Sequence, residues 1–457
     1  MKSCYKRAVK YFFAVIAFNA LQLRAVQGAT AAVFSKDIAP IFVAKCLVCH
    51  NAEKGKGNYR LHTFDALLKP GASKEAPVVP GKPEQSKLFQ LITATNEDDR
   101  MPQKDEALPP AQILAIKTWI EQGAAFDASN RSVLLAVLSP PRYAAAPRDY
   151  AVTVPVTALA FDVPGKQLAA SGYHEITVWD SRSGTLGQRL GGVAERIFDL
   201  AYSPDGRWLA CAAGTPGRIG EVRLFNASNA EVVRVLATIG DAELCLAFSP
   251  DGKKLAAGGA DNAIRVWDLS TDKPPLVIEQ HADWILSLAF DPNGGHLVSG
   301  SRDKSARLFD AISGELDETY TGHNDFVTAV AWPDEKSIIS ASRSRSAHRW
   351  NVKDAKKTAE FTGWDGDPTR LVVFETNLFS TSLDGKLRQH DIESRELKHE
   401  FDGHHDAIHS LALHAASRRL ATGSHDGEVR VWNADDGTLW LKFIAAPGYT
   451  SKLSRAQ

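Results

Sequence analysis

Beyond residue 150 one pattern is written again and again, and its period is the strongest constraint on the fold. Strand-end pairs recur as Trp179-Asp180, Phe225-Asn226, Trp267-Asp268, Phe309-Asp310, Trp350-Asn351, His390-Asp391 and Trp432-Asn433, at intervals of 46, 42, 42, 41, 40 and 42 residues. Each unit holds an alternating strand such as LCLAFSP, a turn such as DGKK, a strand such as LAAGGA, a second turn, and a closing strand such as IRVWD. Period-two alternation belongs to strands with one buried face. A unit this small has no core of its own and buries its faces only against neighbours, so a run of them must close into a ring. The expected fold class is mainly β: a seven-bladed propeller over residues 150–447, behind a small all-α domain.

The punctuation sharpens the expectation. An Asp lies six residues before the strand-end ring in four units (Asp261, Asp303, Asp384 and Asp426), and His281, His323 and His404 occupy the loop before the first strand in three. These features resemble the WD-repeat family over about residues 150–445. The resemblance implies a buried brace of loop His, strand Ser or Thr, turn Asp and Trp, here His404, Thr422, Asp426 and Trp432. Ser344 stands in the Asp place of the fifth unit and His390 in the Trp place of the sixth, so those two should depend more on apolar packing. The resemblance also implies a partner-binding face. Trp284 and Phe326, just after the loop His, and Arg302 and Arg343, just before the turn Asp position, are its candidates, because aromatic and Arg side chains dominate binding hot spots.

The first 31 residues read as a secretory leader. Lys2, Lys6, Arg7 and Lys10 precede an apolar run over residues 11–18, and small residues offer cleavage after Gly28 or Ala31. A membrane anchor needs roughly 20 apolar residues, and Asn19, Gln22 and Arg24 interrupt the run. Without this segment 48 basic residues face 54 acidic ones, a formal balance of -6. That sign argues against nucleic acid or an anionic membrane as the main partner. The expected location is periplasmic or otherwise exported, with no membrane span in the mature chain.

Residues 32–127 read as short helices and loops, with Ser35 as a first cap, Pro83 opening a helix, and AQILAIKTWIEQG as a later helix stopped by Gly123. Residues 128–149 form a linker, in which residues 133–138 are a candidate strand. Within the helical part, Cys46-Leu47-Val48-Cys49-His50 carries definite chemistry. C-x-x-C-H is the attachment signature of c-type haem: two thiols add to the haem vinyl groups, and the next His is placed under the iron. A structural zinc site needs further ligands at matching spacing, a thioredoxin-like pair wants a βαβ setting, and a simple disulfide leaves the His unexplained. Met101 is the one Met besides Met1, so it is the candidate for the sixth iron ligand; His62 is the rival donor. Met/His ligation raises the reduction potential.

SKDIAPIF before CLVCH, then VVPGKPEQSKL, DDRMP and WIEQGA together resemble the planctomycete-type cytochrome c domain, across residues 34–124. The resemblance implies a haem fold of cytochrome c type and leaves its reaction undefined. His404, His405, His409 and His414 are better explained by the repeat than by a metal. Cys211 and Cys245 read as buried free thiols, and residues 342–346 (SRSRS) as a solvated turn. The combined expectation is a single-haem electron-transfer protein, with Cys46 and Cys49 binding haem c, His50 and Met101 on its iron, and an unidentified redox partner docked by the propeller. No catalytic constellation is visible. The rivals are a cytochrome–propeller oxidoreductase with a substrate or second cofactor at the propeller, and a haem-based sensor or scaffold.

Overall fold

The computed structural model describes residues 31–51, 55–103, 106–128, 131, 135–139, 143–271 and 273–450. Residues 1–30, nearly all of the expected leader, lie outside them. Among the described residues no helix is long and apolar enough to cross a membrane.

The N-terminal part is helical, with helices Ala39–Lys45, Phe64–Leu67, Lys87–Ile92 and Pro110–Glu121. Pro110 begins the longest, where its missing N–H costs nothing. Gly123, at φ +96, ends it in a conformation that suits glycine. Ile116, Trp119 and Ile120 of this helix are buried against Phe34, Ile38, Phe42, Phe64 and Leu67. Phe34 and Phe64 meet edge to face with centroids 4.8 Å apart, and the Trp119 indole donates to Ala125 O at 2.9 Å. Burying each such ring contributes roughly 2–3 kcal/mol. Pro83 opens a short 3-10 turn, Pro83–Gln85, just ahead of its helix.

Two local expectations are corrected here. Ser35 caps nothing; it lies inside a π-helical turn, Phe34–Ile38, and its hydroxyl donates to Asp127 at 2.5 Å. The Asp37 carboxylate accepts the Val33 N–H instead, at 2.8 Å. The strand expected at residues 133–138 is a short helix over Leu135–Leu138. Leu135 and Leu138, three apart, both pack on the helical core, a helix period rather than a strand one.

From Leu159 onward the chain is antiparallel β. Five four-stranded blades form, not the seven expected, together with one seven-stranded sheet. The first two repeat units merge because strand Leu186–Tyr202 runs unbroken through 17 residues. It pairs with Tyr173–Asp180 through residues 186–196 and with Trp208–Thr215 through residues 196–202. Where other units place a loop His, this one has Val193, which is wholly buried together with Ala194, so the chain runs on as strand.

Turns follow the sequence. In Pro250-Asp251-Gly252-Lys253, the Asp251 carboxylate accepts from Ser249 Oγ at 2.7 Å and Lys253 N–H at 3.0 Å, while Gly252 supplies φ +69. Side chains near the ring axis stitch successive units. Asp199 accepts from Leu246 N–H, Ser287 from Val330 N–H, Thr328 donates to Pro368 O and Thr369 to Ile408 O, at 2.7–3.1 Å. Ser410 Oγ closes the ring on Val156 O at 2.8 Å, across 254 residues.

Candidate functional site

The cysteine turn follows directly from the helix before it. Helix Ala39–Lys45 ends at Cys46, and the chain makes one further turn in which Cys49 and His50 N–H groups donate to Cys46 O at 3.2 and 3.1 Å. This places both thiols and the imidazole on one turn. Cys46 borders the helical core, and burial, with Cys49 beside it, pushes its thiol up to about 12. His50 is locked by its partners: its carbonyl accepts from Leu61 N–H at 2.9 Å, and its Nδ1 lies 3.0 Å from Tyr59 O. A carbonyl can only accept, so Nδ1 is the donor in this contact, which leaves Nε2 as the ring nitrogen free to face a metal. Tyr59 is fixed in turn by donating to Leu67 O at 2.9 Å. This donor set fits a haem held by Cys46 and Cys49, with His50 as an iron ligand.

Met101 is half-buried and packs on the same core that Cys46 borders. Its N–H donates to Leu91 O at 3.0 Å. His62, the rival, keeps its Nδ1 buried without a hydrogen bond, and burial lowers its pKa.

The expected brace in the last unit is three-quarters present. His404 Nε2 lies 2.7 Å from Thr422 Oγ1, which accepts from the Trp432 indole at 2.8 Å. Asp426 instead bonds Ser424, and His404 Nδ1 faces Glu428 at 3.6 Å. In the fifth unit His323 and Trp350 both reach Ser340, at 2.8 and 3.0 Å. The sixth unit exchanges its two rings: Trp364 takes the loop His place, bonds Ser380 at 3.1 Å and packs on His390. Both units thus keep polar braces rather than relying on packing alone.

The four rim candidates come together. The Arg302 guanidinium lies over Trp284 at 4.2 Å and over Phe326 at 4.9 Å, and Arg343 lies over Phe326 at 5.4 Å. Arg343 also pairs with Asp367 at 2.8 Å.

The family model described as Planctomycete cytochrome C matches residues 46–105, and that described as WD domain, G-beta repeat matches residues 236–268, 272–310, 314–351 and 395–433. The chain joins a planctomycete cytochrome c domain to WD repeats. Curated relatives include telomerase protein component 1 of Rattus norvegicus, 28% identical over 198 residues, which are 41% of this chain and 6% of that protein. Guanine nucleotide-binding protein subunit beta of Zea mays is 25% identical over 260 residues, 54% of this chain and 58% of its own length. Target of rapamycin complex subunit wat1 of Schizosaccharomyces pombe is 24% identical over 288 residues, 60% and 76% respectively. The chain therefore spans less than two thirds of the rat and maize proteins.

The remaining candidates of the cytochrome–propeller chain find structural roles. Cys211 and Cys245 are buried and unbonded to each other. His414 is held by Ser417 and Val163 O, and His409 pairs with His425 at 3.2 Å. Arg343 and Arg345 of the SRSRS turn both face Asp367. Arg370 reaches across the ring to Phe198 O at 3.0 Å and stands 3.7 Å from Asp199, so its charge is matched. Sequence reading missed the tyrosines that fasten the linker to the propeller. Tyr143 donates to buried Glu221 at 2.8 Å and Tyr150 to buried Glu175 at 2.7 Å. Two Tyr in an otherwise small and Pro-rich stretch were the available signal.

Proposed function

We propose that the chain is an exported c-type cytochrome that carries electrons and is docked to a partner protein by its WD repeats. One haem is bound through thioethers to Cys46 and Cys49, with His50 and Met101 on the iron. When bound, the haem supplies one-electron exchange. The chain's own residues attach it, orient it through the His50–Tyr59 bond, and exclude water with Leu47, Phe42 and their neighbours. The observation that carries this reading is the placement of His50, its Nδ1 held by Tyr59 O, beside two cysteines on the same turn.

Export is supported by the basic and apolar leader pattern, and matches the attachment of haem outside the cytoplasm. Docking is supported by the convergence of Trp284, Arg302, Phe326 and Arg343 and by the kinship with WD-repeat proteins. The test is acid-acetone extraction of protein made in a host with intact cytochrome maturation. Haem should stay with the polypeptide; haem that extracts overturns the reading, as does protein without any.

A further inference from the structure

The haem-attachment turn rests on the propeller rim one repeat unit from the patch. Val48, between the two cysteines, is 38% exposed. It faces Gly240 of the propeller: a side chain placed on Gly240 would meet Val48 Cγ1 at 3.6 Å and its carbonyl at 3.7 Å. Sheet register fixes what Gly240 is. Glu243, Ile285 and Val327 each open the pairing of the first two strands in their units. Gly240 therefore corresponds to Ala282 and Asn324, and Ala242 corresponds to Trp284 and Phe326. The haem turn rests on the same rim as Trp284, one repeat unit away.

Hydrogen bonds, some through buried Ala242 and Ala260, link the two places. Ala242 O accepts from Ala260 N–H at 2.8 Å, and the Asn262 amide donates to Ala282 O at 3.4 Å. Arg302 N–H donates to Trp284 O at 3.0 Å, as Arg343 N–H does to Phe326 O at 3.0 Å. Arg302 then bridges the two units by stacking on both rings.

We infer that the Val48 turn and the Trp284–Arg302–Phe326–Arg343 patch form a single electron-exchange face, which takes a redox protein presenting carboxylates around an apolar centre. The inference rests on the haem reading above and deepens it. The chemistry of the partner follows from Arg302. Its guanidinium is fixed between two rings, its Nε is buried without a hydrogen bond, and the nearby Asp283 carboxylate stands 3.7 Å away. A guanidinium held between two rings, on a side chain 30% exposed, suits a partner's carboxylate, because the ordering cost is already met. Four cations (Arg302, Lys304, Arg343, Arg345) share this rim with four carboxylates (Asp241, Asp283, Asp325, Asp367), on a chain whose formal charge is -1.

The test is stopped-flow oxidation of the reduced haem protein by two small probes, anionic ferricyanide and cationic tris(phenanthroline)cobalt(III). The wild-type ferricyanide rate should fall as salt rises, although the whole chain is acidic. Arg302→Gln/Arg343→Gln should slow ferricyanide roughly threefold to tenfold at low ionic strength, with the difference closing at high salt. The cobalt rate should hold or rise. Gly240→Glu, beside Val48 and free of backbone strain, should also slow ferricyanide. A ferricyanide rate that rises with salt in the wild type overturns the face without any variant. So does a rate unmoved by the substitutions in protein with an unchanged haem spectrum. Protein lacking covalent haem fails before any oxidant is added and overturns the underlying reading instead.

Discussion

Thr422→Val isolates what the polar brace contributes to the ring. Thr422 is wholly buried, and its hydroxyl oxygen meets the Trp432 indole at 2.8 Å and His404 Nε2 at 2.7 Å. Valine nearly matches threonine in volume, so no cavity opens; what disappears is the shared polar partner. The Trp432 N–H and the His404 ring nitrogen are then both stranded out of water. Each orphaned buried group costs about 1–3 kcal/mol, and His404 Nδ1 already lacks a hydrogen bond, so the ring offers no second way to recover. The expected loss is about 3 kcal/mol. For a body of this size that lowers the midpoint of thermal unfolding by roughly 6 °C. Equilibrium denaturation in guanidinium, followed by Trp fluorescence and circular dichroism with coincident curves, measures it. Thr422→Ser restores the oxygen and should recover most of the loss. A Thr422→Val protein within about 0.5 kcal/mol of the parent refutes the reasoning, since that is the range of an ordinary surface change.

Further expectations follow from the same geometry. Met101→Ala should remove the weak far-red sulfur-to-iron band of the oxidised protein, while His62→Ala leaves it; the reverse result gives the ligand role to His62. Burial pushes the His323 imidazole down to about 3, with His348 adding to the effect, and burial likewise pushes His404 down to about 4. Both are neutral when folded and take up protons when unfolded below pH 6.5, so stability falls as pH drops from 6.5 towards 4. By pH 4.5 each should cost about 2 kcal/mol, measurable as a shift in the denaturation midpoint. Resistance that stays flat across this window contradicts their burial. Gly220→Ala should destabilise by about 3 kcal/mol or more, because a Cβ there collides with the Asp241 carbonyl in the corner that carries Gly240; normal stability means the corner is loose.

The repeat was legible because strand-end rings and turn Asp residues recur at a fixed spacing, and spacing survives when single residues change. The merged first sheet was not, since whether a strand breaks depends on Val193 and Ala194 being buried, and burial is set by neighbours distant in sequence. The cysteine turn could be read as chemistry directly, whereas the partner that orients its His could not: Tyr59 lies nine residues on, with no motif to mark it. The ring exchange in the sixth unit shows the limit of matching single positions. His390 looked like a lost Trp, yet Trp364 supplies the indole from the other side of the same hydroxyl. The short helix at Leu135–Leu138 was misread because an apolar run of this length has no period of its own, and the helical core beneath it decides.

The central claim is a single covalent haem on Cys46 and Cys49, and intact mass measurement of the mature protein under denaturing conditions tests it most directly. The account predicts the polypeptide mass plus one haem, with the added mass on the peptide containing Cys46 and Cys49 after digestion, and its loss in Cys46→Ser/Cys49→Ser. A bare polypeptide mass, or one lower by two hydrogens for a Cys46–Cys49 disulfide, from a host that matures its other c-type cytochromes, would contradict it.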